Sequence, residues 1–272
     1  MSVWSEPLAP CPVLTLRDVH LRAGPRTLAE GLGLTVEPGQ LWCVVGPNGV
    51  GKSTLMAVLA GLRAPDGGSV LADDRPLATI PPAALARQRA YLPQSIHDTF
   101  TMPVREAVRV GRHPHLGGWG WGGRDDDRIV ADVIDALDLT PLAGRDVLTL
   151  SGGERQRAAI GAVLAQQAPL LLLDEPVSHL DLRHQIQVLD LLAGLVRAGR
   201  HAVVTILHDL NLARRYATHA LLMGEDGEAR HGLAVDVLTA ERCSQALRTP
   251  IVSVSDGAHV ALIAKGHGRG LS

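Results

Sequence analysis

The chain has 272 residues, enough for one large domain or two small ones. Apolar residues make up 46% of it but aromatic residues only 3%, so the core has to be built from Leu, Val, Ile and Ala, which favours sheets and helices over an aromatic-rich sandwich or barrel. With 28 acidic against 26 basic residues the formal net charge is -2, which excludes the electrostatic footprint of a protein whose main partner is nucleic acid.

At the start, Met1 to Pro12 lack a positive segment followed by an apolar one and are interrupted by Pro7, Pro10 and Pro12, so this stretch is not expected to be a signal peptide. Residues 1–12 and 266–272 are expected to be flexible ends of a domain over 13–250. Residues 13–21 are predicted to form an edge strand or hairpin, ended by Gly24 and Pro25, and 32–36 a second strand. The turn Glu37-Pro38-Gly39 leads into Leu41-Trp42-Cys43-Val44-Val45, an apolar run of the length of a strand buried on both faces. Helical spacing of Leu55, Val58, Leu59 and Leu62 predicts a helix over 52–62.

Residues 96–165 read as a helical subdomain inserted into the main sheet, with a loop at 117–123 that holds Trp119 and Trp121 and an acidic cluster Asp125-Asp126-Asp127. A helix at 153–167, a short buried strand at 170–173, a helix at 182–198 and a strand at 201–207 follow, an alternation that implies parallel strands with crossover helices. Cys11, Cys43 and Cys243 are odd in number and far apart, so neither a disulfide framework nor a zinc site is expected and a reducing cytoplasm fits. No apolar run approaches the ~20 residues of a membrane-spanning helix, and any membrane link is expected to run through another chain.

Between the predicted strand and helix, Gly46-Pro47-Asn48-Gly49-Val50-Gly51-Lys52-Ser53 fits the phosphate-binding P-loop pattern, with Thr54 next. Its glycines let successive backbone N–H groups turn inward around a triphosphate. Lys52 brings a positive charge for the β- and γ-phosphates, Ser53 an oxygen for Mg²⁺, and the helix its positive end. Further on, Asp174 and Glu175 close the run Leu170 to Leu173. Two carboxylates at the end of a buried strand are costly unless a cation or a water uses them. Asp174 is therefore expected to hold Mg²⁺ through water, and Glu175, pointing the other way on the strand, to polarise the attacking water as general base.

Leu150-Ser151-Gly152-Gly153-Glu154, lying between the P-loop and Asp174, resembles the signature motif of the ABC ATPases. The resemblance runs over roughly 14–247 and implies a P-loop NTPase of RecA-like α/β core, with an antiparallel β subdomain and an inserted helical signature subdomain. It also implies that Ser151, Gly152, Gly153 and Glu154 open a helix receiving the γ-phosphate of ATP held by a partner copy. By the same resemblance Gln94 is the glutamine touching Mg²⁺ and the attacking water at the junction with a membrane subunit. Asp181 reaches across the dimer, and His208 is the switch histidine on the γ-phosphate.

The family often carries an aromatic residue that stacks on adenine, just before the first glycine after strand one. Ala23 stands there, before Gly24, and Arg22 or Arg26 is the candidate to substitute by a cation–π contact.

Val110-Gly111-Arg112-His113-Pro114-His115 and Leu180-Asp181-Leu182-Arg183-His184-Gln185 resemble the ATPases that drive import of iron-siderophores, haem or vitamin B12. The resemblance then implies a homodimer on the cytoplasmic face of the inner membrane, multi-span permease subunits, a periplasmic substrate-binding protein, and ATP with Mg²⁺ as cofactors. The alternatives are a soluble ABC-type ATPase of repair or translation, an exporter subunit, or a nucleotide-sensing scaffold. A coiled-coil insertion or a second full site would mark the first of these, and the sequence has neither.

Overall fold

The computed structural model describes residues 10–95, 100–116, 123–257 and 260–265. Trp119 and Trp121, residues 1–9 of the N-terminal stretch and all of 266–272 lie outside these described residues.

The first half of the chain opens with β1 (Leu14–Ala23), β2 (Arg26–Val36), β3 (Leu41–Val45), α1 (Lys52–Leu59), β4 (Gly67–Ala72) and β5 (Arg75–Pro76). Next come α2 (Pro82–Gln88), β6 (Arg89–Leu92), α3 (Val104–Arg109), a 3₁₀ segment at Val110–His115 and α4 (Arg124–Ala136). The second half holds α5 (Gly152–Ala165), β7 (Leu170–Leu173), α6 (Leu182–Arg197), β8 (Ala202–Ile206), α7 (Leu210–Tyr216), β9 (His219–Met223) and β10 (Ala229–Leu233). Two short helices, α8 (Ala234–Val237) and α9 (Ala240–Leu247), and a hairpin of β11 (Ile251–Ser255) and β12 (Val260–Ala264) close it.

One sheet runs β10-β9-β3-β8-β7-β6, parallel except for the β9–β10 pair, and a second, antiparallel sheet runs β2-β1-β4-β5. The period of two in each strand sends alternate residues into two separate cores. Leu41, Cys43 and Val45 of β3 and Leu171 and Leu173 of β7 join the core shared with α3 to α6. Trp42 and Val44, with Leu170 and Leu172, join the core that α1 and the antiparallel sheet cover. Unbroken apolar runs are thus what a strand covered on both faces requires. Of the expected edge strand or hairpin, the hairpin forms: β1 pairs antiparallel with β2 across the turn at Gly24-Pro25, and because it pairs with β4 on its other side it is not an edge strand. The second strand also starts six residues earlier than its apolar pattern suggests, because β1 supplies ladder partners from Ala23 back to Leu14.

Between β6 and β7 every described element is helical, and α4 buries Ile129, Val130, Val133 and Ile134 at helical spacing. The acidic cluster is its first turn, where carboxylates meet the positive end of the helix dipole. Asp126 also forms a largely buried ion pair with Arg112 at 2.6 Å, and Arg112 Nη1 donates to Ala165 O and Gln167 Oε1 at the far end of α5. The 3₁₀ segment therefore ties the start of α4 to the end of α5.

His201, just before β8, is buried, and its Nδ1 has no partner. Burial, helped by the Arg200 charge, pulls its pKa from 6.5 down to about 4. The unfolded chain takes up this proton below 6.5 while the folded one refuses it, so stability present above that pH is lost as the pH falls toward 4. The loss is on the order of 3 kcal/mol. His201→Leu should flatten this slope in urea titrations between pH 7 and 4; an unaltered slope would clear His201 of the effect.

Candidate functional site

The P-loop, Asp174 with Glu175, Gln94 and His208 follow β3, β7, β6 and β8, which are neighbours in the order β3-β8-β7-β6 and run parallel. All of these segments consequently emerge at the same, C-terminal edge of the sheet, where open α/β sheets form their binding crevices.

The loop after β3 turns through Gly49 (φ 73°) and Gly51 (φ 107°), left-handed conformations that favour glycine. A Cβ on Gly46 would sit 2.5 Å from Met223 O, and one on Gly51 2.9 Å from Leu28 Cβ, so neighbouring chain leaves no room for side chains. Val50 turns its side chain into the core and offers the loop only its backbone. Lys52 is buried, and its Nζ donates to Gly46 O and Pro47 O, both at 2.8 Å. Burial pulls its pKa down from the usual lysine value, against the opposing pull of Glu175 and Asp174. A cleft of about 370 Å³ opens over the loop, lined by Asn48, Gly49, Gly51, Lys52, Ser53 and Thr54, with Ala23, Leu28, Gln94, Glu175 and His208 around them.

Asp174 is 1% exposed, and its Oδ1 has no hydrogen-bond partner in the protein. Burial pushes its carboxyl pKa up, and the nearby Glu175 charge adds to this, while the Ser53 side chain hydrogen-bonds to it and pulls it down. A buried carboxylate with one orphaned oxygen, beside a hydroxyl, has the chemistry of a hard-cation site.

Glu175 does not simply face away from Asp174 along the strand. It lies past the end of β7 with φ 52°, a left-handed conformation that brings its carboxylate back into the cleft. Such backbone costs a non-glycine residue about 1 kcal/mol or more and persists only where surrounding contacts hold it. Here they do: Gln94 Nε2 donates to Glu175 Oε1 at 3.0 Å, and His208 Nε2 lies 2.7 Å from the same oxygen. Asp209, immediately after His208, caps α7 by accepting from Asn211 N and Leu212 N, which fixes the bend carrying His208.

The remaining predicted residues lie elsewhere. Ser151 caps α5 in a reciprocal box, its Oγ accepting from Glu154 N at 3.3 Å and Glu154 Oε2 accepting from Ser151 N at 2.8 Å. The backbone bond from Ser151 holds the Glu154 pKa below the usual carboxylate range. An added Cβ on Gly152 would meet nothing within 4 Å, so this helix start is open. Asp181 caps α6, accepting from His184 N at 2.9 Å. None of Ser151, Gly152, Gly153, Glu154 or Asp181 lines the P-loop cleft of its own chain. Leu28 and the Arg26 contact to Gly49 O at 3.2 Å were not legible as loop neighbours, since the β1–β2 turn is brought there only by packing of the two sheets.

Strand, glycine loop and helix in this order, with a buried lysine turned back on the loop, define a P-loop nucleotide-binding protein. Residues 29–178 match the ABC transporter family. The hemin import ATP-binding protein HmuV of Thermobifida fusca is 40% identical over 89% of this chain and 84% of its own length. The ferric enterobactin transport ATP-binding protein FepC of Escherichia coli is 38% identical over 82% of this chain and 83% of its own. A structure assigned as a metal-chelate type ABC transporter, in an inward-facing conformation, superposes with a TM-score of 0.81 at 26% identity, covering 94% of this chain and 98% of that one. The chain belongs to the ABC transporter family, as an ATP-binding and ATP-hydrolysing subunit.

Proposed function

We propose that two copies of this chain pair head to tail and hydrolyse ATP at two composite sites, driving a multi-span permease that imports a metal chelate, of which haem and ferric siderophores are the nearest examples. The observation that carries this reading is the division of one chain's residues. The cleft has a phosphate loop, a carboxylate and a histidine, while the open helix start at Ser151 lies outside it. A second copy supplies that helix start to the γ-phosphate, where its free N–H groups and dipole act.

Within the cleft the loop amides and Lys52 hold the triphosphate. Glu175 takes a proton from water as its oxygen attacks the γ-phosphorus, and the bond to the β–γ bridging oxygen breaks to release ADP. His208 donates to the γ-phosphate, and Gln94 orients the water from its place on Glu175. Asp174 and Ser53, with Gln94, are the residues that would hold Mg²⁺, and the orphaned Asp174 oxygen fits that part. When bound, the ion neutralises charge on the β- and γ-phosphate oxygens.

Beside Gln94, a groove of about 350 Å³ runs between β6 and α5, lined by Tyr91, Pro93, Ala107, Val147, Ala159 and Ala162 among others. Small and apolar side chains there suit a helix of the permease, whose movement would reach Glu175 through Gln94. No helix among the described residues is long and apolar enough to cross a membrane. The chain then sits peripherally on the cytoplasmic face of the inner membrane, with a periplasmic binding protein delivering the cargo. The cargo class follows the proteins it resembles, which are named for hemin, ferric enterobactin and a metal chelate.

Mixing two inactive variants tests the composite site. Lys52→Ala and Ser151→Arg should each abolish phosphate release, and together they should recover part of it, because a mixed pair rebuilds one site from one intact cleft and one intact Ser151 turn. Mixtures as dead as their parts, with both variants folded, would overturn the head-to-tail reading.

A further inference from the structure

The helix start at Ser151 has to take an anion from a second copy, yet it carries an anion of its own. Glu154 lies in the first turn of α5, and its carboxylate folds back to within 2.8 Å of Ser151 N, a bond that favours its ionised form. An incoming γ-phosphate therefore meets like charge beside the amides that are to hold it, and a nearby cation has to balance this.

Three arginines flank the turn, and their contacts separate them. Arg157 is buried, its Nη1 donating to Leu137 O at 2.8 Å and to Asp138 O at 3.1 Å. Arg155 lines the groove beside Gln94. Arg145 is exposed, and its Nη2 donates to Thr149 O at 2.9 Å, two residues before Ser151. That acceptor is neutral, and among the described residues no carboxylate forms an ion pair with Arg145. Its charge does act on Glu154, in the sense that favours the carboxylate. The loop beneath it is fixed: Val104 N donates to Arg145 O at 2.9 Å, Val147 N donates to Met102 O at 3.0 Å, and Asp146 forms a β-bridge with Pro103. These bonds pin residues 145–147 to the start of α3 and hold the guanidinium beside the Ser151 turn.

We propose that Arg145 is a binding residue acting across the pair of copies: it balances the charge of Glu154 and contacts the γ-phosphate that the partner copy lays on the Ser151 turn. This rests on the head-to-tail reading above. A guanidinium keeps further N–H donors beside the one used on Thr149, in a fork that suits phosphate oxygens. Arg145 is not among the residues lining its own chain's cleft, so the phosphate it serves is the partner's.

Two experiments on the full chain test this, after thermal melts show that every variant is folded. In the Glu175→Gln background, Arg145→Gln should weaken pairing in sedimentation velocity with Mg-ATP by roughly 10- to 100-fold, since both composite sites lose the contact together. Adding Glu154→Gln, whose amide oxygen still accepts from Ser151 N, should recover about fivefold or more of that loss. A loss that Glu154→Gln does not relieve would mean that Arg145 only braces the loop through Thr149, and no loss would mean that it touches nothing across the pair; either overturns the proposal.

The second experiment adds Arg145→Gln to one member of the Lys52→Ala and Ser151→Arg mixture. In the pair that regains phosphate release, the Lys52→Ala chain supplies the turn. Arg145→Gln on that chain should cut the regained release by about tenfold or more, whereas on the Ser151→Arg chain, whose own turn is already blocked, the cut should stay under about twofold. Equal losses from the two placements, or the reverse order, overturn the assignment across the pair. Absence of any regained release in the parent mixture would instead sink the head-to-tail reading itself.

Discussion

Replacing Glu175 with glutamine is expected to leave ATP bound and to slow its hydrolysis by about 10²- to 10⁴-fold, the usual contribution of a positioned general base. The amide has nearly the same shape, and its oxygen can still accept from Gln94, now at 3.0 Å from Oε1. What it cannot do is take a proton from water. Affinity for the triphosphate should not fall, because the change removes a negative charge from the lining of a cleft that binds a polyanion. The same charge contributes to the raised Asp174 pKa, so its loss also eases ionisation of the carboxylate assigned to the cation. With ATP bound but not spent, the two copies should accumulate as a closed pair, visible as a dimer in size-exclusion chromatography with ATP and as monomer without it. A variant that releases phosphate at the wild-type rate would remove Glu175 from its role.

Gly111→Ala is expected to cost about 3 kcal/mol or more, at the upper end of overpacking substitutions, and to lower the melting temperature by roughly 6–12 °C. A Cβ at this position would lie 1.9 Å from Ala162 O and 2.9 Å from Ala162 C, backbone atoms of α5 that no rotamer change can move. The 3₁₀ segment would have to lift off α5, and Arg112 next to it would lose its bonds to Ala165 O and Gln167. A buried guanidinium stripped of such partners is penalised further. Because α5 begins at Ser151, the damage should reach the signature end of the helix and reduce ATPase activity while tripolyphosphate binding at the P-loop persists. A melting temperature within about 2 °C of wild type would show that the contact is looser than the geometry requires.

Local chemistry was legible in the sequence. Gly46 to Ser53 form a contiguous loop whose φ angles and close approaches depend on residue types in fixed order, so the pattern implied its own conformation. The apolar runs at 41–45 and 170–173 announced strands buried on both faces, since only such strands lack polar positions. The helix starts at Ser151 and Asp181 were equally local, set by capping side chains three residues from their partners.

The meeting of Gln94, Glu175 and His208 was readable only as a resemblance, because their contact depends on the order in which β6, β7 and β8 pair across the sheet. The left-handed turn at Glu175 has no signature in a glutamate; tertiary contacts impose it. In the sequence Asp126 is only one of an acidic cluster of three, and its place against Arg112 is set by how α4 meets the 3₁₀ segment. Hydrogen-bonded loops, caps and strand patterns are decided within a few residues, and the sequence alone determined those. Which distant side chains share an oxygen, which strand lies inside its sheet and which arginine overlooks the phosphate loop were settled by long-range pairing, where packing of whole faces outweighs local preference.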